Sequence, residues 1–177
     1  MIHNDHVHLI QKAISPGKQV WADLGCGWGA FTLALRDVGG NEIEIYAIDQ
    51  DTNALEELEH NFKERFADST IHILKGDFAK LDLPLLDGIL MANSLHYIED
   101  QLNFLSNIKS YLKPNGKLVL VEYSTDQPNT WIPYPLSFNT FKEIAAKAGF
   151  SNIKQLHYKK LDWIDMYSAE AINSYVD

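Results

Sequence analysis

Four stretches of the chain carry residues that could do chemistry together. Asp23 stands two positions before Gly25 in Val20-Trp21-Ala22-Asp23-Leu24-Gly25-Cys26-Gly27-Trp28-Gly29-Ala30. Asp49 follows the apolar Tyr46-Ala47-Ile48, Asp77 sits in Gly76-Asp77-Phe78, and His96 lies in Asn93-Ser94-Leu95-His96-Tyr97. Glycines at every second position let the backbone turn sharply and approach a ligand closely, because no Cβ intervenes. A helix start behind such a turn offers N–H groups to a bound molecule. Carboxylates around it suit a ligand with hydroxyls, an amino group or a positive charge. His96 is the candidate general base, because imidazole as a side-chain type changes charge near neutrality. Tyr97, Tyr123 and His157 are weaker candidates. Cys26 reads as a small turn residue, with no base near it in sequence.

The elements that must position these residues alternate between strand and helix. Val20-Trp21-Ala22-Asp23-Leu24 reads as the core of a first strand, and a helix with Phe31, Leu33, Ala34 and Leu35 runs to about Val38, stopping at Gly39-Gly40. Residues 42–48 form a second strand. Asn53 and Glu56 suggest a capping box for a helix that buries Leu55, Leu58 and Phe62. Strands are expected at 71–74, 86–92 and 118–122. A helix between the last two carries Leu102, Leu105, Ile108 and Leu112 and ends at the turn Lys113-Pro114-Asn115-Gly116. A later helix uses Phe138, Phe141, Ile144, Ala145 and Ala148, and two last strands are expected near 153–158 and 161–167. Alternation of this kind implies parallel strands, right-handed crossovers and helices on both faces. Ligands of such sheets bind beyond the carboxyl ends of the strands, where Asp23, Asp49, Asp77 and Asn93 all fall.

Composition narrows the classes. The 177 residues are 46% hydrophobic and 22% charged, enough for a single domain over 1–177 with a sizeable core. Residues 1–18 read as a short helical segment that could cover the ligand. Its three histidines, His3, His6 and His8, match no common zinc spacing, so no metal is expected. A net charge of −9 argues against nucleic acid as the main partner. No apolar run is long enough to span a bilayer, the first residues lack the look of a secretion signal, and the lone Cys26 excludes an internal disulfide. A cytoplasmic protein is the expectation.

Two cofactor classes fit the glycine turn. Gly25-x-Gly27-x-x-Ala30 satisfies the dinucleotide fingerprint, and Asp49, 24 positions after Gly25, stands where an acid for ribose hydroxyls belongs. Three features favour an adenosyl sulfonium over a nicotinamide dinucleotide. Asp23 would repel a pyrophosphate but attract an ammonium or sulfonium. Asp77 can accept from an adenine amino group, with Phe78 against the ring. A dehydrogenase usually needs a substrate domain, for which the chain has almost no room.

On these residues the sequence resembles the class I S-adenosylmethionine-dependent methyltransferases. The likeness runs from about Gln19 to Tyr158. It covers the glycine turn, Tyr46-Ala47-Ile48-Asp49-Gln50-Asp51, Lys75-Gly76-Asp77-Phe78, Leu90-Met91-Ala92-Asn93-Ser94-Leu95-His96 and Leu112-Lys113-Pro114-Asn115-Gly116-Lys117-Leu118. The resemblance implies a Rossmann-like, mostly parallel α/β sheet of seven strands in the order 3-2-1-4-5-7-6, strand 7 antiparallel. It implies that Asp23, Gly25, Cys26 and Gly27 hold the methionine part of the cofactor, and that Asp49, with Gln50 beside it, meets the ribose. Gly76, Asp77 and Phe78 would meet the adenine, and Asn93 would lie near the methionine end and the acceptor. S-adenosylhomocysteine would be the product.

The acceptor is expected to be a small molecule. Enzymes of this class acting on base or amide nitrogen often carry prolines after Asn or Asp following strand four, and Ala92-Asn93-Ser94-Leu95 has none. Trp28, Tyr123, Trp131 and Tyr134 are the candidate walls of an acceptor pocket, because aromatic faces attract cations and exclude water. The alternatives are a cofactor-binding module or partner subunit without catalysis and, ranked lower, a nicotinamide-dependent oxidoreductase.

Overall fold

A computed structural model describes residues 1–67, 69–77 and 82–174. Seven strands form one sheet: β1 (Val20–Leu24), β2 (Glu44–Asp49), β3 (Ile71–Lys75), β4 (Leu86–Ala92), β5 (Leu112–Tyr123), β6 (Ser151–Lys159) and β7 (Met166–Ile172). Their order is β3-β2-β1-β4-β5-β7-β6, with β7 antiparallel to both of its neighbours. This is the doubly wound arrangement that the resemblance implies. Among the described residues the α-helices are α1 (His3–Ile10), α2 (Ala30–Gly39), α3 (Thr52–Arg65), α4 (Gln101–Ile108) and α5 (Phe138–Lys147). No described helix is long and apolar enough to cross a membrane.

The period-2 alternation of the strands sorts the core into two faces. Trp21, Ile45, Leu90 and Val119 pack against Leu9 and Ile10 of α1 and Ala34 and Leu35 of α2. Ala22, Leu24, Ile48 and Ile89 point the other way, onto Leu105 of α4 and Phe141 of α5. Ala47 meets Leu55, Leu58 and Phe62 of α3, the three residues whose spacing marks that helix. At the far end of the sheet from the strand tips, the buried guanidinium of Arg36 donates to the carbonyls of Gly40, Asn41, Ile43 and Thr70. It satisfies the end of α2 and fixes the entry to β2.

Four details differ from the sequence expectations. Asp51, not Asn53, caps α3, its carboxylate accepting from the Asn53 and Ala54 amides. In α4, Phe104 faces the core and Leu102 is exposed, because Gln101 occupies an inward position. The turn at 113–116 lies inside β5 as a bulge, and Leu112 opens that strand instead of closing the helix before it. Pairing with β4 jumps from Leu86–Leu112 to Gly88–Lys117, and Asn115 adopts φ 62° to absorb the extra residues. The last strand begins at Met166, so 161–165 is the connection between β6 and β7. Ser168 and Glu170 are buried polar residues in β7, and they hide its character from a hydrophobicity count.

Candidate active site

The site begins at the end of β1. The amides of Gly25 and Cys26 both donate to the Ile48 carbonyl, at 2.9 and 3.0 Å. The Gly27 amide donates to Asp49 Oδ2 at 2.7 Å, while Asp49 Oδ1 accepts from the Asp51 amide at 2.9 Å. The turn is thus braced by the tip of β2, and these amides are spent inside the protein. What Gly27 contributes to a ligand is room: its φ is 50°, and the space its Cβ would take is empty. Gly29 takes the left-handed φ of 82°, where a side chain is strained, and a Cβ there would also press on the Leu58 side chain. Cys26 is buried, which pushes its thiol far above the usual range and leaves it no nucleophilic character.

Asp23 is fully buried on the floor of the same turn. Its Oδ2 accepts from Thr32 Oγ1 at 2.6 Å, and its Oδ1 has no partner among the described residues. Burial, helped by the charge of Asp49 and opposed by Thr32, lifts this carboxyl to about 7. A buried acid oxygen left without a partner at a cavity wall calls for a ligand donor, and a cationic one would stabilise its ionised form.

A cavity of about 610 Å³ opens above it. Asp23, Gly25, Cys26, Gly27, Asp49 and Gln50 contribute to its wall, and Trp28 and Ala92 to Asn93 extend it. Asn93 takes the left-handed φ of 54°, which Asn tolerates better than most residues, and its Oδ1 is likewise buried without a partner among the described residues. Ser94 Oγ donates to the Leu24 carbonyl at 2.8 Å and ties the β4 exit to the β1 exit. From the other side Met1 and His6 of the α1 segment reach the cavity. The His6 ring packs on Phe31 at 4.8 Å, and its Nδ1 has no partner among the described residues. Burial and the neighbouring His3 lower its affinity for a proton.

A second cavity of about 330 Å³ adjoins the first through Asn93 and Tyr97, which line both. His96, Tyr123, Trp131 and Trp163 complete it. His96 Nδ1 lies 2.7 Å from Glu122 Oε2, and both side chains are at most 2% exposed. The amides of Leu95 and His96 donate to Glu122 Oε1 at 3.1 and 3.2 Å. The tip of β5 therefore holds the β4 loop as the tip of β2 holds the β1 loop.

The structure thus brings most of the residues singled out in the sequence to two adjoining cavities. Tyr134 lines neither; its amide donates to the His96 carbonyl at 3.0 Å, so it shapes the site from behind. Gly76 and Asp77 also lie outside both linings, although the Gly76 amide donates to the Asp49 carbonyl and places the end of β3 beside Asp49. Phe78 lies outside the described residues. Sequence reasoning missed Thr32, His6, Glu122 and Trp163. Glu122 carried a signal, being an acid at a strand tip like Asp23 and Asp49. Trp163 was hidden by placing the last strand too early.

A seven-stranded sheet in this order, with acids at the tips of β1 and β2 around a glycine turn, defines a class I S-adenosylmethionine-dependent methyltransferase fold. The methyltransferase domain family model matches residues 22–120, and the chain belongs to that family. It is 27% identical over 150 residues to a carboxy-S-adenosyl-L-methionine synthase of Escherichia coli O7:K1, covering 82% of this chain and 59% of that one. Against the same-named protein of Shewanella pealeana the identity is 29% over 117 residues, covering 64% and 48%. The chain thus spans about half the length of the curated relatives it matches. Among solved structures, a SAM-dependent methyltransferase from Aquifex aeolicus superposes with a TM-score of 0.70 at 21% identity, covering 89% of this chain and 83% of that one. Magnesium protoporphyrin IX methyltransferase from Synechocystis PCC 6803, with bound SAM, gives 0.76 at 20% identity, covering 97% and 78%. These two likenesses concern the fold.

Proposed function

We propose that the protein transfers a methyl group from S-adenosylmethionine to a small-molecule acceptor. The observation that carries this is the junction of the two cavities. A cation-seeking floor at Asp23 and an acid rim at Asp49 open past Asn93 and Tyr97 into an aromatic chamber with a histidine. In this proposal Asp23 takes the ammonium of the cofactor and the Gly25–Gly27 backbone lets its methionine part lie close. Asp49 accepts from the ribose, with Gln50 beside it, and the end of β3 at Gly76 and Asp77, tied to Asp49 through the Gly76 amide, borders the adenine. When bound, S-adenosylmethionine supplies a methyl on a sulfonium that is already a good leaving group. The protein's part is then to align nucleophile, methyl and sulfur, which can be worth about 7–11 kcal/mol. The first 18 residues, with His6 and Met1 at the wall, serve as a cover within one domain over 1–177. A cytoplasmic location belongs to the same proposal.

The carboxy-S-adenosylmethionine synthases raise a second donor, one with an added carboxylate. The described linings of both cavities include Asp23 and Asp49 and no lysine or arginine, which favours the unmodified sulfonium. Calorimetry with S-adenosylhomocysteine, set against nicotinamide cofactors in a thermal-shift assay, tests the binding. Methyl release from labelled S-adenosylmethionine tests the transfer. Stabilisation by nicotinamide cofactors alone would overturn the proposal.

A further inference from the structure

We propose that the smaller cavity receives an aromatic ring bearing a hydroxyl, and that His96, held by Glu122, takes that hydroxyl's proton as the oxygen is methylated. The inference rests on the methyltransferase proposal and names its acceptor class. Its starting point is the wall. Tyr97, Tyr123, Trp131 and Trp163 surround about 330 Å³, and Trp131 and Trp163 remain 72% and 61% exposed. Large indole faces standing in water around a concave site leave apolar area for a ligand to cover. An apolar cavity of about 150 Å³ holds benzene, so this volume takes one or two fused rings. The Trp163 edge meets the Tyr123 ring at 5.7 Å in a T-shaped contact, which fixes one side of the chamber.

The charges narrow the acceptor. An anionic acceptor needs a cation, and no lysine or arginine lines the cavity among the described residues. Aromatic faces attract an ammonium, but full neutralisation of its charge needs a carboxylate with spare capacity. The carboxylate at hand, Glu122, is 1% exposed and already accepts from two amides and the imidazole. A hydroxyl needs an acceptor, and there the site is built. A carboxylate can only accept, so the proton between Glu122 and His96 belongs on Nδ1. Nε2 then carries the lone pair in a residue that lines the cavity. Packing against Tyr97 at 4.3 Å restrains the imidazole, and the Tyr134 amide and Gln101 restrain the loop that carries it.

The step balances. The O–H bond breaks and its proton goes to His96 Nε2. The oxygen's electron pair forms the O–CH3 bond as the C–S bond breaks, and its pair returns to sulfur as the thioether of S-adenosylhomocysteine. The resulting imidazolium is stabilised by Glu122 until its proton leaves to water. His96 is the catalytic residue here, and Glu122 is a positioning residue.

The test uses the full chain saturated with S-adenosylmethionine and three probes of one shape: 2-naphthol, 2-naphthylamine and naphthalene. Methyl transfer to 2-naphthol, none to 2-naphthylamine and competitive inhibition by naphthalene are expected. His96→Gln should lower kcat by about a hundredfold with S-adenosylhomocysteine affinity unchanged. Glu122→Gln should lower kcat while the 2-naphthol KM stays put. Trp131→Ala and Trp163→Ala, at exposed positions that the fold does not need, should each raise KM by about fivefold at near-constant kcat. Preference for the amine, unchanged kcat in His96→Gln, or unchanged KM in both tryptophan variants would overturn the inference. So would a protein that binds S-adenosylmethionine but methylates neither 2-naphthol nor catechol. Absence of S-adenosylmethionine binding would instead remove the proposal beneath it.

Discussion

Asp49 and Glu122 hold matching places in the two halves of the site and use them differently. Each is an acid at the tip of a strand, and each reaches sideways to brace the loop leaving the neighbouring strand. Asp49, on β2, accepts from Gly27 in the β1 loop; Glu122, on β5, accepts from Leu95 and His96 in the β4 loop. Asp49 is only partly buried and lines the larger cavity, so a ligand can meet it directly. Glu122 is sealed off and acts on the smaller cavity through His96. In the proposed function one device would serve for binding, where the carboxylate is partly exposed, and for positioning an imidazole, where it is sealed.

The largest expected effect tests the sealed half. Glu122→Ala leaves two buried amides and the His96 ring nitrogen without their acceptor. Unsatisfied buried groups cost about 1–3 kcal/mol each, and allowing for relaxation we expect a loss of about 3 kcal/mol. For a chain of this size that is a fall of about 6–12 °C in Tm, while the folded fraction keeps its affinity for S-adenosylhomocysteine. A variant that melts like the wild type would show that the three contacts are not structural. Asp49→Ala should do the reverse. Its S-adenosylhomocysteine affinity should fall by about ten- to a hundredfold, because hydrogen bonds to a charged acceptor are worth about 1.5–3 kcal/mol. The Tm should move less than in Glu122→Ala. Equal affinities by calorimetry would remove Asp49 from the cofactor site and end the contrast.

The two halves also differ in how far the sequence reveals them. The floor of the larger cavity is local. Val20–Leu24, the glycines and Thr32 lie within 13 consecutive residues, and a left-handed turn leaves glycine as its mark, while Asp49, Asn93 and His6 join the wall from elsewhere in the chain. The acceptor half gathers Asn93–Tyr97, Glu122–Tyr123, Trp131 and Trp163 from four segments, so its shape depends on strand order and loop reach. Strand order came from resemblance to a family, because alternation alone gives parallel strands but no sequence of neighbours. The start of β7 was obscured by Ser168 and Glu170, which are buried yet polar, Glu170 pairing with Lys154 at 2.7 Å. Once that strand is displaced, Trp163 leaves the loop where it does its work. Tyr134 failed for another reason: its aromatic type drew attention, while its backbone makes the contact that matters.

A subtler contrast lies in proton coupling at Asp23. Burial raises this carboxyl from 3.8 to about 7, so between those values the folded protein holds a proton that the unfolded chain has lost. The contribution of Asp23 to unliganded stability therefore falls as pH rises through that window. A cationic cofactor needs the ionised form, so binding below about pH 7 releases the proton. Affinity for S-adenosylmethionine should rise by about fivefold from pH 6 to pH 7, the ratio of ionised fractions for such a group. Asp23→Asn should bind more weakly and lose this slope. A wild-type affinity flat across the interval would show that Asp23 does not change charge on binding.

The smallest effect concerns the tyrosine that the sequence placed in the acceptor wall. The Tyr134 amide donates to the His96 carbonyl, its own carbonyl accepts from Gln101 Nε2 at 2.7 Å, and its side chain lines neither cavity. Alanine keeps both backbone groups, so Tyr134→Ala should hold kcat and acceptor KM within about twofold, since surface substitutions usually shift energies by less than about 0.5 kcal/mol. Gln101→Ala removes the side chain that anchors the same strip of backbone and frees the loop carrying His96. It should therefore lower kcat more than Tyr134→Ala does. Were the order reversed, the phenol ring would be in contact with the acceptor, and the chamber would extend further along the 131–135 loop than its present walls indicate.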